Sequence, residues 1–197
     1  IRGREELDRM LVDILHRNQK RLGISCRDPE DVAGCFGELI RETAEKYGLR
    51  AVILVDEYDK PILDNITSQD VDGIRKTLED FYSVIKATEP FQQFVLLTGV
   101  SKFSKVSVFS KLNNLTDITM NARFATMLGY TQEELERNFS EYIDHVVETR
   151  NVGKSTILAK LRNWYNGYKF HHQSETVYNP VSIGKFFDST GEFNNYW

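Results

Sequence analysis

Leu7, Met10, Leu11, Ile14 and Leu15 recur at spacings of three and four, which places them on one face of a first helix. A second helix is predicted from Asp28-Pro29 to Tyr47, with Gly48 as its stop and Val32, Cys35, Phe36, Leu39 and Ile40 as its apolar stripe. The period then changes. Ala51 to Val55 reads Ala-Val-Ile-Leu-Val, an apolar run without polar alternation, the pattern of a strand covered on both faces in a parallel sheet. Val71, Ile74, Leu78, Phe81, Tyr82 and Ile85 mark a third helix, Phe91 to Thr98 reads as the next strand, and Leu115 to Thr119 as a shorter one. Strands separated by helices imply parallel neighbours joined by crossovers. Beyond Asn121 the pattern turns helical. Thr131-Gln-Glu-Glu134 is a capping box, Ile157, Leu158, Leu161, Trp164 and Tyr165 trace another helix, and Asn179-Pro180 opens a third. The expected organisation is an α/β core over residues 1–120 and a small helical lid over 121–197.

The first strand matters most for chemistry because it runs straight into Asp56-Glu57. In an open α/β sheet, ligands bind beyond the carboxyl ends of the strands, so the two carboxylates are expected at the crevice, in the manner of a Walker B motif. One acid, Asp56, suits a magnesium ion held through its water shell, because magnesium gives up water reluctantly. The next, Glu57, suits the orientation or deprotonation of an attacking water. The plain alternative is an apolar strand that ends at a polar loop. A phosphate cradle of the form Gly-x-x-x-x-Gly-Lys-Ser/Thr does not precede Ala51. Gly153-Lys154-Ser155 is the sole Gly-Lys-Ser, and its first required glycine is Glu148, which sets a negative charge against phosphate. Leu135, Phe139, Tyr142, Ile143 and Val146 before it follow helical spacing, so Lys154 is expected as a solvated residue at a helix start.

Three blocks carry a family resemblance: Val-Ile-Leu-Val-Asp-Glu-Tyr-Asp-Lys-Pro-Ile-Leu-Asp at 52–64, Leu-Leu-Thr-Gly-Val-Ser-Lys-Phe-Ser-Lys onward at 96–119, and Trp-Tyr-Asn-Gly-Tyr at 164–168 followed by Val-Tyr-Asn-Pro-Val-Ser at 177–182. In these blocks the chain resembles the AAA-ATPase-like proteins, a bacterial family of P-loop ATPase domains whose members often carry a nuclease-like domain further on. The resemblance implies a parallel-sheet, P-loop NTPase-like α/β core with a C-terminal helical lid, and ATP with magnesium as cofactors. In similar proteins the P-loop and the first two strands come before the helix that here opens at Arg4, so the chain is expected to be an N-terminally truncated piece without its own cradle. Residue by residue, Asp56 and Glu57 match the family's metal and water-orienting acids, and Thr98 matches a sensor of the γ-phosphate. Ser101 and Lys102 are weaker matches. A strand tip reading Thr-Gly-Val-Ser also has a plain use, since Gly99 permits a tight turn and the hydroxyls satisfy loop backbone.

Composition bounds the rest. At 197 residues, 41% hydrophobic and 27% charged, the chain can bury a core and supports one domain, or one and a small appendage. Its apolar stretches fall short of a membrane span. No charged leader followed by an apolar segment opens the chain, and Cys26 and Cys35 read as free thiols, so a cytoplasmic location without membrane contact is expected. The cysteines are spaced unlike a zinc knuckle. A formal charge of −4 gives no broad footprint for nucleic acid. Lys102, Lys105 and Lys111 with Phe103 and Phe109 form a local basic cluster that could touch a phosphate backbone or simply be solvated. Trp164-Tyr-Asn-Gly-Tyr168 offers aromatics for stacking, but Gly167 reads first as a left-handed helix stop. His171 and His172, adjacent in an extended segment, point apart and do not share a metal. Two other functional classes compete with this reading. A metal nuclease needs Asp/Glu-x-Lys, and the residue two before Lys60 is Tyr58. A catalytically silent binding or scaffold module, acting through self-association, a partner protein or nucleic acid, is the stronger alternative.

Overall fold

The computed structural model describes residues 3–100 and 112–196 and divides the chain into two compact units, 1–115 and 116–197. Each is built around its own core. In the first unit, α1 (Arg4–Leu22) buries Leu7, Leu11 and Leu15, while Ile14 at the edge of the stripe is exposed. α2 (Val32–Tyr47) begins three residues later than Pro29 because Asp31 is the N-cap, its side chain accepting from the Gly34 N–H at 2.9 Å. It ends where expected, at Gly48 in the left-handed conformation.

β1 (Ala51–Val55) pairs in parallel with β2 (Gln92–Leu97), in register Val52 with Phe94, Ile53 with Val95, Leu54 with Leu96 and Val55 with Leu97. Between them, α3 (Lys60–Leu63) is a single turn and α4 (Val71–Ala87) is the crossover helix, with Ile74, Leu78, Phe81, Tyr82 and Ile85 buried. α2 and α4 pack on one face of the strand pair, with Phe36 and Phe81 stacked 4.5 Å apart between them. Gln92 ties the crossover to the sheet. Its buried amide donates to the Ile85 carbonyl at 2.6 Å and to Thr88 Oγ1 at 2.7 Å, which satisfies the end of α4 where β2 begins.

The strand pair departs from the expected double cover. Ile53, Val55, Val95 and Leu97 belong to the core side, but Val52, Leu54 and Phe94 stand 58%, 69% and 53% exposed on the other. An unbroken apolar run specifies that both faces can be apolar; it does not supply the second layer. A third strand over 115–119 is also not formed: Asp117 accepts from the Thr119 N–H at 3.0 Å, and this local turn takes the place of a ladder bond. The thiols are not free. Cys26 and Cys35 form a disulfide with Cα atoms 5.2 Å apart, tying the loop after α1 to the first turn of α2.

The second unit contains α5 (Gln132–Asn138), α6 (Ser140–Arg150), α7 (Lys154–Tyr165) and α8 (Pro180–Asp188). The capping box is present in both directions, Thr131 Oγ1 accepting from the Glu134 N–H at 3.1 Å and Glu134 Oε2 accepting from the Thr131 N–H at 2.9 Å. These bonds hold the Glu134 carboxyl below its ordinary pKa. Asn179 caps α8 through the Ser182 N–H at 3.0 Å. The unit also holds two short strands, β3 (Asn166–Tyr168) and β4 (Val177–Tyr178), paired antiparallel. Gly167 therefore lies in a strand and not in a left-handed helix stop; α7 passes directly into extended chain at Asn166. Between the strands the chain turns at His171 and His172, whose rings lie 4.2 Å apart rather than pointing apart. The core is Leu135, Val146, Ile157, Leu161, Tyr165, Tyr178, Ile183 and Phe186. Among the described residues, no helix is long and apolar enough to cross a membrane.

Candidate functional site

Because β1 and β2 are parallel and in register to Val55 and Leu97, the residues that follow each strand emerge at the same end of the sheet. The pairing continues past the strands. Thr98 N–H donates to the Val55 carbonyl at 2.9 Å, and the Tyr58 N–H donates to the Thr98 carbonyl at 3.0 Å. Asp56 and Thr98 are thereby brought side by side, and Thr98 Oγ1 donates a hydrogen bond to Asp56 Oδ1. The same oxygen also accepts from the Glu57 N–H at 3.0 Å. Asp56 and Glu57 are exposed, and Thr98 is partly buried.

Glu57 carries φ +53, a left-handed conformation that costs a non-glycine residue free energy. The backbone reverses there so that the Glu57 carbonyl accepts from the Lys60 N–H at 3.0 Å and the chain enters α3. This turn holds the carboxylate-bearing residue at the rim instead of letting it continue along the strand. Asp59, two residues on, is wholly buried, with its Oδ1 accepting from the Val100 N–H at 3.2 Å. Nearby, burial pushes the Tyr82 phenol well above its ordinary pKa, and the charges of Asp59 and Tyr58 add to the shift.

Other residues singled out in the sequence stand elsewhere. Ser101, Lys102, Lys105 and Lys111, with Phe103 and Phe109, lie outside the described residues. Lys154 is the first residue of α7, is exposed, and pairs with Asp144 Oδ1 at 2.7 Å; the element before it is the helix α6, not a strand. Lys60 sits 4.0 Å from Asp64. A groove of about 850 Å³ between α1, the start of α2 and α4 is lined by His16, Gln19, Asp31 and Asp80 among others, and excludes Asp56, Glu57 and Thr98. Its charges are of both signs. Sequence reasoning missed Asp59, whose burial had no signal in the pattern, since it reads as one more polar residue in a loop.

Parallel strands joined through a crossover helix, with acids and a hydroxyl gathered at their carboxyl ends, define an α/β protein. The family model described as AAA-ATPase-like, a predicted AAA-ATPase, matches residues 1–109, and the chain belongs to that family. It is also 42% identical over 198 residues to a protein of Azotobacter chroococcum mcd 1 described as an uncharacterized protein in the vnfD 5′ region, a match that covers 100% of this chain and 36% of that protein. The chain thus spans about a third of the length of the curated relative it matches. No solved structure matches.

Proposed function

We propose that the chain is the acidic-tip portion of an ATPase domain, and that the full-length protein binds and hydrolyses ATP to drive a conformational change. The observation that supports this reading above others is the hydrogen bond from Thr98 to Asp56 at the carboxyl ends of two parallel strands. Asp56 would hold magnesium, Glu57 would orient or deprotonate the attacking water, and Thr98 would read the γ-phosphate, with Ser101 a weaker match for that last role.

The donor set fits the metal. Asp56 is exposed and spends one carboxyl oxygen on two donors, which leaves the other for the metal's water shell. Among the described residues no three ligating side chains cluster, and magnesium needs no such cage because waters and phosphate oxygens complete its shell. Bound magnesium would neutralise charge on the phosphate oxygens. Lys154 takes no part, being paired with Asp144 in the second unit. The chain holds no Gly-x-x-x-x-Gly-Lys-Ser/Thr motif, so the proposed ATP site needs a phosphate cradle from elsewhere in the full-length protein.

In the full-length protein, Glu57→Gln is expected to abolish turnover while nucleotide stays bound, because the change removes the base and keeps the side chain's size. Equal turnover in mutant and wild type rejects the role of Glu57. The chain alone is expected to bind ATP weakly in calorimetry, and micromolar binding would contradict the absence of a cradle. The bare apolar face of the strand pair favours one second reading, a silent binding module. Wild-type full-length protein that hydrolyses no ATP would leave that reading standing.

A further inference from the structure

Asp59 is the buried carboxylate of this tip, and among the described residues it is the sole charged side chain that is fully buried. A carboxylate withdrawn from water is costly unless donors replace the water, so its place asks for a use. Its backbone is fixed first. The Asp59 carbonyl accepts from both the Ile62 and Leu63 N–H groups at 3.0 Å, which sets the residue at the head of α3. Its side chain then reaches across to the turn after β2, where Oδ1 receives the Val100 N–H at 3.2 Å. On the other side of the same turn, the Tyr58 N–H holds the Thr98 carbonyl at 3.0 Å. Residues 98–100 are therefore gripped at both ends by consecutive residues of the acidic loop.

Gly99, between the two grips, lies directly on them. A Cβ there would fall 2.6 Å from Tyr58 Cε1, 2.7 Å from Asp59 Oδ1 and 2.9 Å from Asp59 Cγ. No side chain fits, and the turn can approach Asp59 this closely because residue 99 has none. The Tyr82 phenol lies within reach of the same charge and bonds the Tyr58 carbonyl at 3.5 Å, which backs the loop from beneath.

We infer that Asp59 is a positioning residue: it clamps the turn 98–100 through Val100, and so keeps the Thr98 hydroxyl on Asp56. The inference rests on the reading of Asp56 and Thr98 as a nucleotide site, and deepens it by assigning the part that sets their spacing. Asp59 touches neither metal nor phosphate in this scheme and acts through Thr98.

The test uses full-length protein and two independent readouts, ATP turnover and hydrogen exchange resolved at the Val100 amide. Asp59→Ala is expected to speed Val100 exchange about tenfold while amides inside β1 and β2 stay protected. It is also expected to lower kcat by about 10- to 100-fold, with KM for ATP changed less than about threefold. Asp59→Asn retains a carbonyl oxygen for the Val100 N–H and is expected to restore both readouts most of the way. Unchanged Val100 exchange in Asp59→Ala overturns the clamp. So does an Asp59→Asn variant with Val100 protected but kcat as low as in Asp59→Ala, since that places the charge, not the clamp, in the chemistry. If Asp59→Ala does not fold, Gly99→Ala attacks the same contact from the other side, and the same pair of outcomes decides. Wild-type protein without ATPase activity defeats the proposed function alone, because the exchange readout still judges Asp59.

Discussion

At Tyr82 a single buried phenol makes a prediction that needs no ligand. Its folded pKa is raised above the value of about 10 that it has in an unfolded chain, chiefly by burial. Below about pH 10 both states are protonated and the contribution is intact; above it the unfolded chain releases a proton that the folded chain retains, so stability falls as pH rises. Urea melts taken from pH 9 to 11 are expected to show a steeper decline in wild type than in Tyr82→Phe. Identical slopes would mean that the phenol ionises freely in the folded protein. Residue-scale features divide into those that a sequence can announce and those it cannot. The pair Asp56-Glu57 and the threonine at 98 were legible because each follows an apolar run that fixes where a strand ends. The left-handed Glu57 and the buried Asp59 were not, since both are set by how the loop folds back across Gly99, a tertiary contact without a local period.

At the scale of elements, the disulfide fastens the entry of α2 to the loop that leaves α1. Closing a loop with a sequence separation of 9 is worth roughly 2.5 kcal/mol in the chain-entropy account. Cys35→Ser, or full reduction, is therefore expected to lower the denaturation midpoint of the oxidised chain, and equal midpoints would show that the bond adds nothing. Helix periodicity served well here because Leu7, Leu11 and Leu15, and then Ile74, Leu78 and Ile85, sit on stripes that a core must cover. Boundaries followed capping chemistry instead. Asp31 outcompeted Asp28-Pro29 as the start of α2, and Asn166 moved the end of α7 from a glycine stop into a strand. The pairing of two cysteines nine residues apart depends on where the loop after α1 returns, which spacing alone does not determine.

For the whole molecule, the consequential feature is a two-stranded parallel sheet clothed on one side. Parallel sheets ordinarily have both faces covered, and the exposed Val52, Leu54 and Phe94 form a sticky surface in the isolated chain. Replacing Leu54 and Phe94 together by Lys is expected to reduce light scattering by the isolated chain at equal concentration, with stability changed by less than about 1 kcal/mol because both sites are solvated. Undiminished scattering would locate the adhesive surface elsewhere. The α/β character and the parallel pairing were readable from strands spaced by a helix. The open face was not, because five apolar residues look the same whether a second layer lies over them or not. The threonine at the tip adds a last point. A hydroxyl owns one proton, and the one at position 98 is already lent to its acidic neighbour. Any newcomer that claims it must loosen the carboxylate in the same act, so arrival at one strand end is announced at the other without any moving part between them.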